Sequence, residues 1–234
     1  MSTPPVPHQH STLAEQTIVI VDDHEIVLTG TLSALQQQYP QAQILTAQTA
    51  QEAIAQVQQF NPDLVVVDLS IPETAGETAQ TEHGLRLLRD LMGLFPTLNI
   101  TVQSTYVKAL VRIRSEIDAH QGGFTVTDKG LSSREMLTRV DWALQGVTHT
   151  KDISGLQAGL EVKPEWLTVL SLAFQEGLQD KTIAQRMYVK ERTVRHYWTK
   201  IQDVLGIYPE DDKKDGKNLR TITEIRAREE GLID

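Results

Sequence analysis

The chain has 234 residues, a formal net charge of −9, a 40% hydrophobic share and no cysteine, which suits two ordinary domains with packed cores and excludes disulfides, thiolate zinc sites and cysteine nucleophiles. No stretch approaches the roughly 18 apolar residues of a membrane span, and the polar, proline-bearing start lacks the apolar run of a signal peptide. The expectation is a cytoplasmic protein without a membrane partner, beginning with a disordered tail over residues 1–15.

Residues 17–21 (Thr-Ile-Val-Ile-Val) form a β-branched apolar run that reads as a buried strand. A helical pattern follows from Glu25 to Tyr39, with Pro40 just past its end. A strand over 42–47, a helix over 50–60 and a second apolar strand over 63–67 come next. The pattern continues as helix 85–94, strand 99–103, helix 108–120, strand 124–127 and helix 134–144. Five strands alternating with five helices predict an α/β, doubly wound, five-stranded parallel sheet over residues 16–146. Residues 147–163 are polar and aperiodic and read as a linker. From Pro164 the pattern is wholly helical, near 165–175, 180–187, 190–204 and 219–230, which predicts a small all-α domain over 164–234 with an exposed loop at 209–217.

The acids of the first domain gather where such folds react. Asp22 and Asp23 follow the first strand and Asp68 follows the third, so three carboxylates converge at the carboxyl edge of the sheet. Like charges held that close call for a compensating cation, and oxygen donors with open water positions suit Mg2+. An ion beside Asp68 would also neutralise a phosphoryl donor during transfer to that carboxylate.

Val21-Asp22-Asp23-His24, with Asp63-Leu-Val-Val-Val-Asp68-Leu-Ser-Ile-Pro72, resembles the flavodoxin-like receiver domain of two-component response regulators, over about residues 16–146. The resemblance implies Asp68 as phosphoacceptor, a histidine kinase as partner, and a metal set of Asp22, Asp23, Asp68 and Ser70. It implies Ser104, at the end of the fourth strand, as the hydroxyl that moves to the phosphoryl group, with Phe124 as the aromatic that follows. Two departures stand out. Strict register puts Thr127 where the family carries lysine, with Lys129 two residues later on the same face. Residues 73–83 also form a longer loop than usual before Gly84.

In the second domain, residues 181–200 carry six basic side chains against one acid, a local +5 on an acidic chain. Two short helices joined by a tight turn place Ile183, Ala184, Met187, Val194, Ile201 and Leu205 inward. The second helix then faces solvent with Lys190, Arg192, Arg195, His196, Thr199 and Lys200, a form that fits the major groove of double-stranded DNA. Lys-Thr-Ile-Ala, Lys-Glu-Arg-Thr-Val and Leu-Gly-Ile make this segment similar to the LuxR/FixJ-type helix-turn-helix, and the whole chain to the NarL/FixJ type of response regulator. That resemblance implies Arg195, His196 and Thr199 on bases, and Lys190, Arg192, Thr193 and Lys200 on phosphates. It further implies a homodimer on DNA, with RNA polymerase a possible partner at the promoter. The function expected is a transcription regulator rather than an enzyme, switched at Asp68. The alternative is a receiver-like transcription factor governed by a protein partner without phosphate.

Overall fold

In the computed structural model, residues 16–150, 162–207 and 218–233 are described. The expected tail, the middle of the expected linker and the expected loop at 209–217 lie outside them.

The strands are β1 (Thr17–Val21), β2 (Gln43–Ala47), β3 (Leu64–Val67), β4 (Asn99–Ser104) and β5 (Phe124–Asp128). They form one parallel sheet in the order β2-β1-β3-β4-β5. The order reverses between β1 and β3, which makes their carboxyl ends the crevice of the fold. Val21 pairs with Val67 at the end of that ladder, so the next residue on each strand, Asp22 and Asp68, emerges side by side.

The helices of this domain are α1 (Glu25–Gln38), α2 (Ala50–Phe60), α3 (Thr81–Leu94), α4 (Arg114–Ala119) and α5 (Ser133–Leu144). Thr49 caps α2 by accepting from the Glu52 amide, and Ser132 and Glu135 form a reciprocal capping box on α5, each satisfying amides that a helix start leaves open. One apolar cluster fills the face covered by α2, α3 and α4, and another fills the face covered by α1 and α5.

Two elements differ from the sequence expectation. Helix α3 begins at Thr81 rather than near residue 85, so the last residues of the expected loop form its first turn. The helix expected at 108–120 is a 3-10 segment, Val107–Ile113, followed by the short α4. Its buried side chains Val107, Leu110 and Ile113 recur every third residue, the spacing that stacks side chains on a three-residue turn.

The second domain packs α6 (Pro164–Phe174), α7 (Asp180–Arg186), α8 (Glu191–Val204) and α9 (Leu219–Glu229) around its own core. Ile183, Ala184, Val194, Ile201 and Leu205 are buried as the sequence indicates, while Met187 is half-buried. Trp198 joins them, its ring edge-on to Phe174 and its indole N–H donating to Asp180. The domains touch at the 3-10 segment. Lys108 pairs with Glu230, Val111 packs against the second core, and Gly231 lies over Ala109.

Candidate functional site

The acidic site is built by adjacency of strand ends. Asp22 and Asp68 have side chains only 5% and 3% exposed, and the more open Asp23 lies next to them. Lys129 follows β5 directly and reaches between them, its Nζ 2.7 Å from Asp22 Oδ2 and 2.7 Å from Asp68 Oδ2. Burial by itself lowers the lysine's pKa, but its bonds to the two carboxylates outweigh that and hold it above the usual value. Thr127, the residue in strict register for this role, is fully buried on β5. The lengthening is absorbed by two further residues of chain, and the Lys129 amide still donates to the Ser104 carbonyl at 3.3 Å.

The remaining oxygen, Asp68 Oδ1, is buried with no hydrogen-bond partner. Ligand atoms from Asp22, Asp23, His24 and Asp68 all lie within 4.8 Å of one another. An orphaned buried carboxylate oxygen in an oxygen-rich cluster fits a hard divalent cation such as Mg2+. Ser70 is half-buried in the bend two residues beyond Asp68. His24, read from sequence as part of a helix start, is the N-cap of α1, and its Nδ1 also lies 2.7 Å from Asp23.

The wall behind Asp68 depends on Gly84. A Cβ there would fall 2.1 Å from the Leu69 carbonyl oxygen, so α3 approaches the bend after Asp68 only because the residue is glycine. The preceding loop closes on itself through an antiparallel bridge between Ile71 and Gln80. The Pro72 and Glu73 carbonyls accept from Ala50 and Gln51 at the start of α2. Glu82, on the first turn of α3, pairs with Arg112 of the 3-10 segment.

Ser104 is fully buried, and its Oγ accepts from the Tyr106 amide at 3.2 Å. Phe124 is not brought to it. Phe124 pairs with Ile100 at the start of β5, whereas Ser104 pairs with Asp128 at its end. Four residues of strand span about 13 Å. The Phe124 ring instead meets His120 edge-on. The aromatic beside Ser104 is the part-exposed Tyr106, which a search confined to the fifth strand passes over.

On α8, Arg192, Arg195, His196 and Thr199 are exposed, as is the N-cap Lys190, while Thr193 and Lys200 are half-buried. Arg195 is held 2.5 Å from Glu191 one turn earlier, and Lys200 lies 3.3 Å from Asp203. Sequence reading also missed Arg220. It stacks 3.6 Å from the Trp198 ring centroid and pairs with Asp180, tying α9 to α7 and α8. Arginine and tryptophan twenty-two residues apart carry no local signal of that contact.

Residues 18–141 match the response regulator receiver domain model. The chain belongs to that family. Across both of its domains the receiver protein is similar to further proteins. It is 28% identical over 207 residues to the DNA-binding transcriptional activator DevR/DosR of Mycobacterium tuberculosis, covering 81% of this chain and 88% of that one. It is 26% identical over 210 residues to the oxygen regulatory protein NreC of Staphylococcus aureus, covering 81% and 91%. In fold it is similar to RcsB of Salmonella enterica serovar Typhimurium, solved bound to a promoter with a phosphomimetic. That likeness has a TM-score of 0.53 at 19% identity and covers 86% and 98% of the two chains.

Proposed function

We propose that this response regulator binds double-stranded DNA as a homodimer and controls transcription, switched by phosphoryl transfer from a histidine kinase to Asp68. The observation that carries the proposal is the arrangement at Asp68, with one oxygen held by Lys129 and the other buried and unpaired. The Asp68 carboxylate attacks through one oxygen, forming the new P–O bond as the P–N bond of the phosphohistidine breaks and the imidazole nitrogen keeps the electron pair, while the other carboxylate oxygen is left to the cation. Mg2+ held by Asp22, Asp23 and Asp68, with Ser70 beside them, would neutralise charge on the phosphoryl oxygens. Lys129 then serves as the fixed cation for the product.

The phosphoryl group adds about −1.5 to −2 charges to a buried corner. Ser104 carries a hydroxyl proton for it. Turning toward the group takes Ser104 Oγ away from the Tyr106 amide, at the threshold of the 3-10 segment. That segment also carries Lys108, Ala109 and Val111, the contacts with the second domain. A change at Asp68 is thereby relayed to the surface that positions α6–α9. In that domain Arg195, His196 and Thr199 face bases, and Lys190, Arg192, Thr193 and Lys200 face phosphates. Relatives named as transcriptional regulators over both domains support this reading.

The test is acetyl phosphate labelling with Mg2+, comparing the parent with Asp68→Ala, followed by selection of bound sequences from random duplex DNA with both forms. Incorporation confined to the parent, and tighter DNA binding after labelling, is the expected result. Equal DNA binding by both proteins under labelling conditions would favour control by a protein partner.

A further inference from the structure

Residue 188, in the turn between α7 and α8, breaks a rule that the other described residues obey. Its backbone is left-handed, with φ +54°. Among the described residues, every other position with positive φ is glycine or asparagine, including Asn61, Gly146, Gly177, Gly206 and Gly231 at helix ends. The reason is steric, because a Cβ in that region crowds the backbone. The turn makes the usual helix-ending bonds, Tyr188 N–H to the Gln185 carbonyl and Val189 N–H to the Ala184 carbonyl, a place where glycine is the ordinary choice. The chain instead has tyrosine there, and the residue is 96% exposed.

Neither feature stabilises this fold. The left-handed backbone opposes it, and a ring in open solvent contributes no packing. Conflicts between local preference and fold tend to mark functional positions. The surroundings identify the function. Arg186 lies two residues before the ring, and Lys190 and Arg192 two and four residues after it, all exposed. The turn leads directly into the end of α8 that enters the groove, since recognition helices contact bases through their N-terminal residues while the preceding helix crosses the backbone.

We infer that Tyr188 is a DNA-contacting residue, packing its ring on the sugar-phosphate strand at the lip of the groove and donating its hydroxyl to a phosphate oxygen. Tyrosine is among the side chains that make such backbone contacts. The inference rests on the DNA-binding reading above. Because the phenol is neutral, its contact displaces no condensed cation, so it strengthens binding without steepening the salt dependence.

The experiment uses the full chain and a labelled duplex selected by the parent protein, with affinity measured by fluorescence anisotropy across a salt series. Tyr188→Gly is expected to unfold at higher urea than the parent, because the left-handed strain is gone. It is expected to bind about tenfold more weakly, as for loss of a hydrogen bond to a charged group, with an unchanged salt slope. Tyr188→Phe is expected to fall between the two. Lys190→Ala, the comparison, lowers the slope by about one. A Tyr188→Gly protein that binds as tightly as the parent overturns the inference and directs the ring to a protein partner. One that unfolds earlier than the parent overturns it too, by giving the ring a structural role. A parent that selects no duplex overturns the DNA-binding reading itself, a result distinct from either.

Discussion

Lys129 Nζ lies 2.7 Å from Asp68 Oδ2 although the lysine is two residues past its expected register. The same nitrogen lies 2.7 Å from Asp22 Oδ2, so one cation holds two buried anions together. Replacing it with methionine leaves both buried carboxylates facing each other without their shared cation. Because the cluster opens toward solvent at Asp23, the loss should be about 2–3 kcal/mol, below that of a fully enclosed pair. Urea unfolding of Lys129→Met should show that loss without divalent ions and a partial recovery with Mg2+. Identical midpoints with and without Mg2+ would contradict the assigned metal site.

Gly84 sets how closely α3 approaches the bend after Asp68. Gly84→Ala puts a methyl group 2.1 Å from the Leu69 carbonyl oxygen, and the obstacle is backbone that cannot swing aside. The expected cost is about 3 kcal/mol, seen as a lower thermal midpoint, with slower acetyl phosphate labelling in the folded protein. Gly93→Ala, which meets nothing within 4 Å, should leave labelling unchanged.

His120 provides a pH prediction. Burial disfavours its charged form and lowers its pKa, against a smaller opposing effect from the Leu98 carbonyl. The unfolded chain therefore takes up a proton at a higher pH than the folded one. The resulting stability is present above pH about 6.5 and is lost as pH falls toward the depressed folded value. Between pH 7.5 and 5.5 the parent should lose more stability in urea than His120→Gln, and equal losses would refute the assignment.

Lys108 and Glu230 join the 3-10 segment to the end of α9. Glu230→Lys puts two cations there and should loosen the docking of the second domain. The unphosphorylated variant should bind selected DNA several-fold more tightly than the unphosphorylated parent, with Lys108→Glu in the same chain restoring parental affinity. Such rescue separates a paired contact from the added charge alone.

Arg195 must leave Glu191 before it can reach a base. Arg195→Ala should weaken discrimination at one base position by about 1–3 kcal/mol, whereas Lys190→Ala should weaken all sequences alike. Glu191→Gln should raise affinity for every sequence. Equal losses on every sequence from both alanine variants would contradict the roles assigned.

The strand ends carrying Asp22, Asp68 and Ser104 were legible because apolar runs and their polar stops set register directly. The start of α3 was not, because Thr81–His83 are polar and their helix is fixed by tertiary contacts, notably Glu82 with Arg112. The 3-10 segment left a trace in the spacing of Val107, Leu110 and Ile113, which a search for α-helical spacing passes over. Phe124 matches the expected switch aromatic only in residue type and strand. The ladder, by pairing it with Ile100, places it at the far end from Ser104. The exposure and left-handed turn of Tyr188 are invisible to periodicity, since tyrosine there reads as a core residue or a loop residue with equal ease.

The residues just after α5 have a consequence for self-association. His149 N–H donates to the Phe124 carbonyl, and His149 bridges Thr125 in parallel. The outer edge of β5 is thus partly capped by the chain's own continuation, while among the described residues no strand pairs with the outer edge of β2, where the Thr46 carbonyl accepts from the Gln56 side-chain amide. An unpaired margin is where sheets of separate molecules fuse end to end. Should this protein aggregate when warmed, the seam should form along Gln43–Ala47, and a lysine introduced there on the solvent side should delay it.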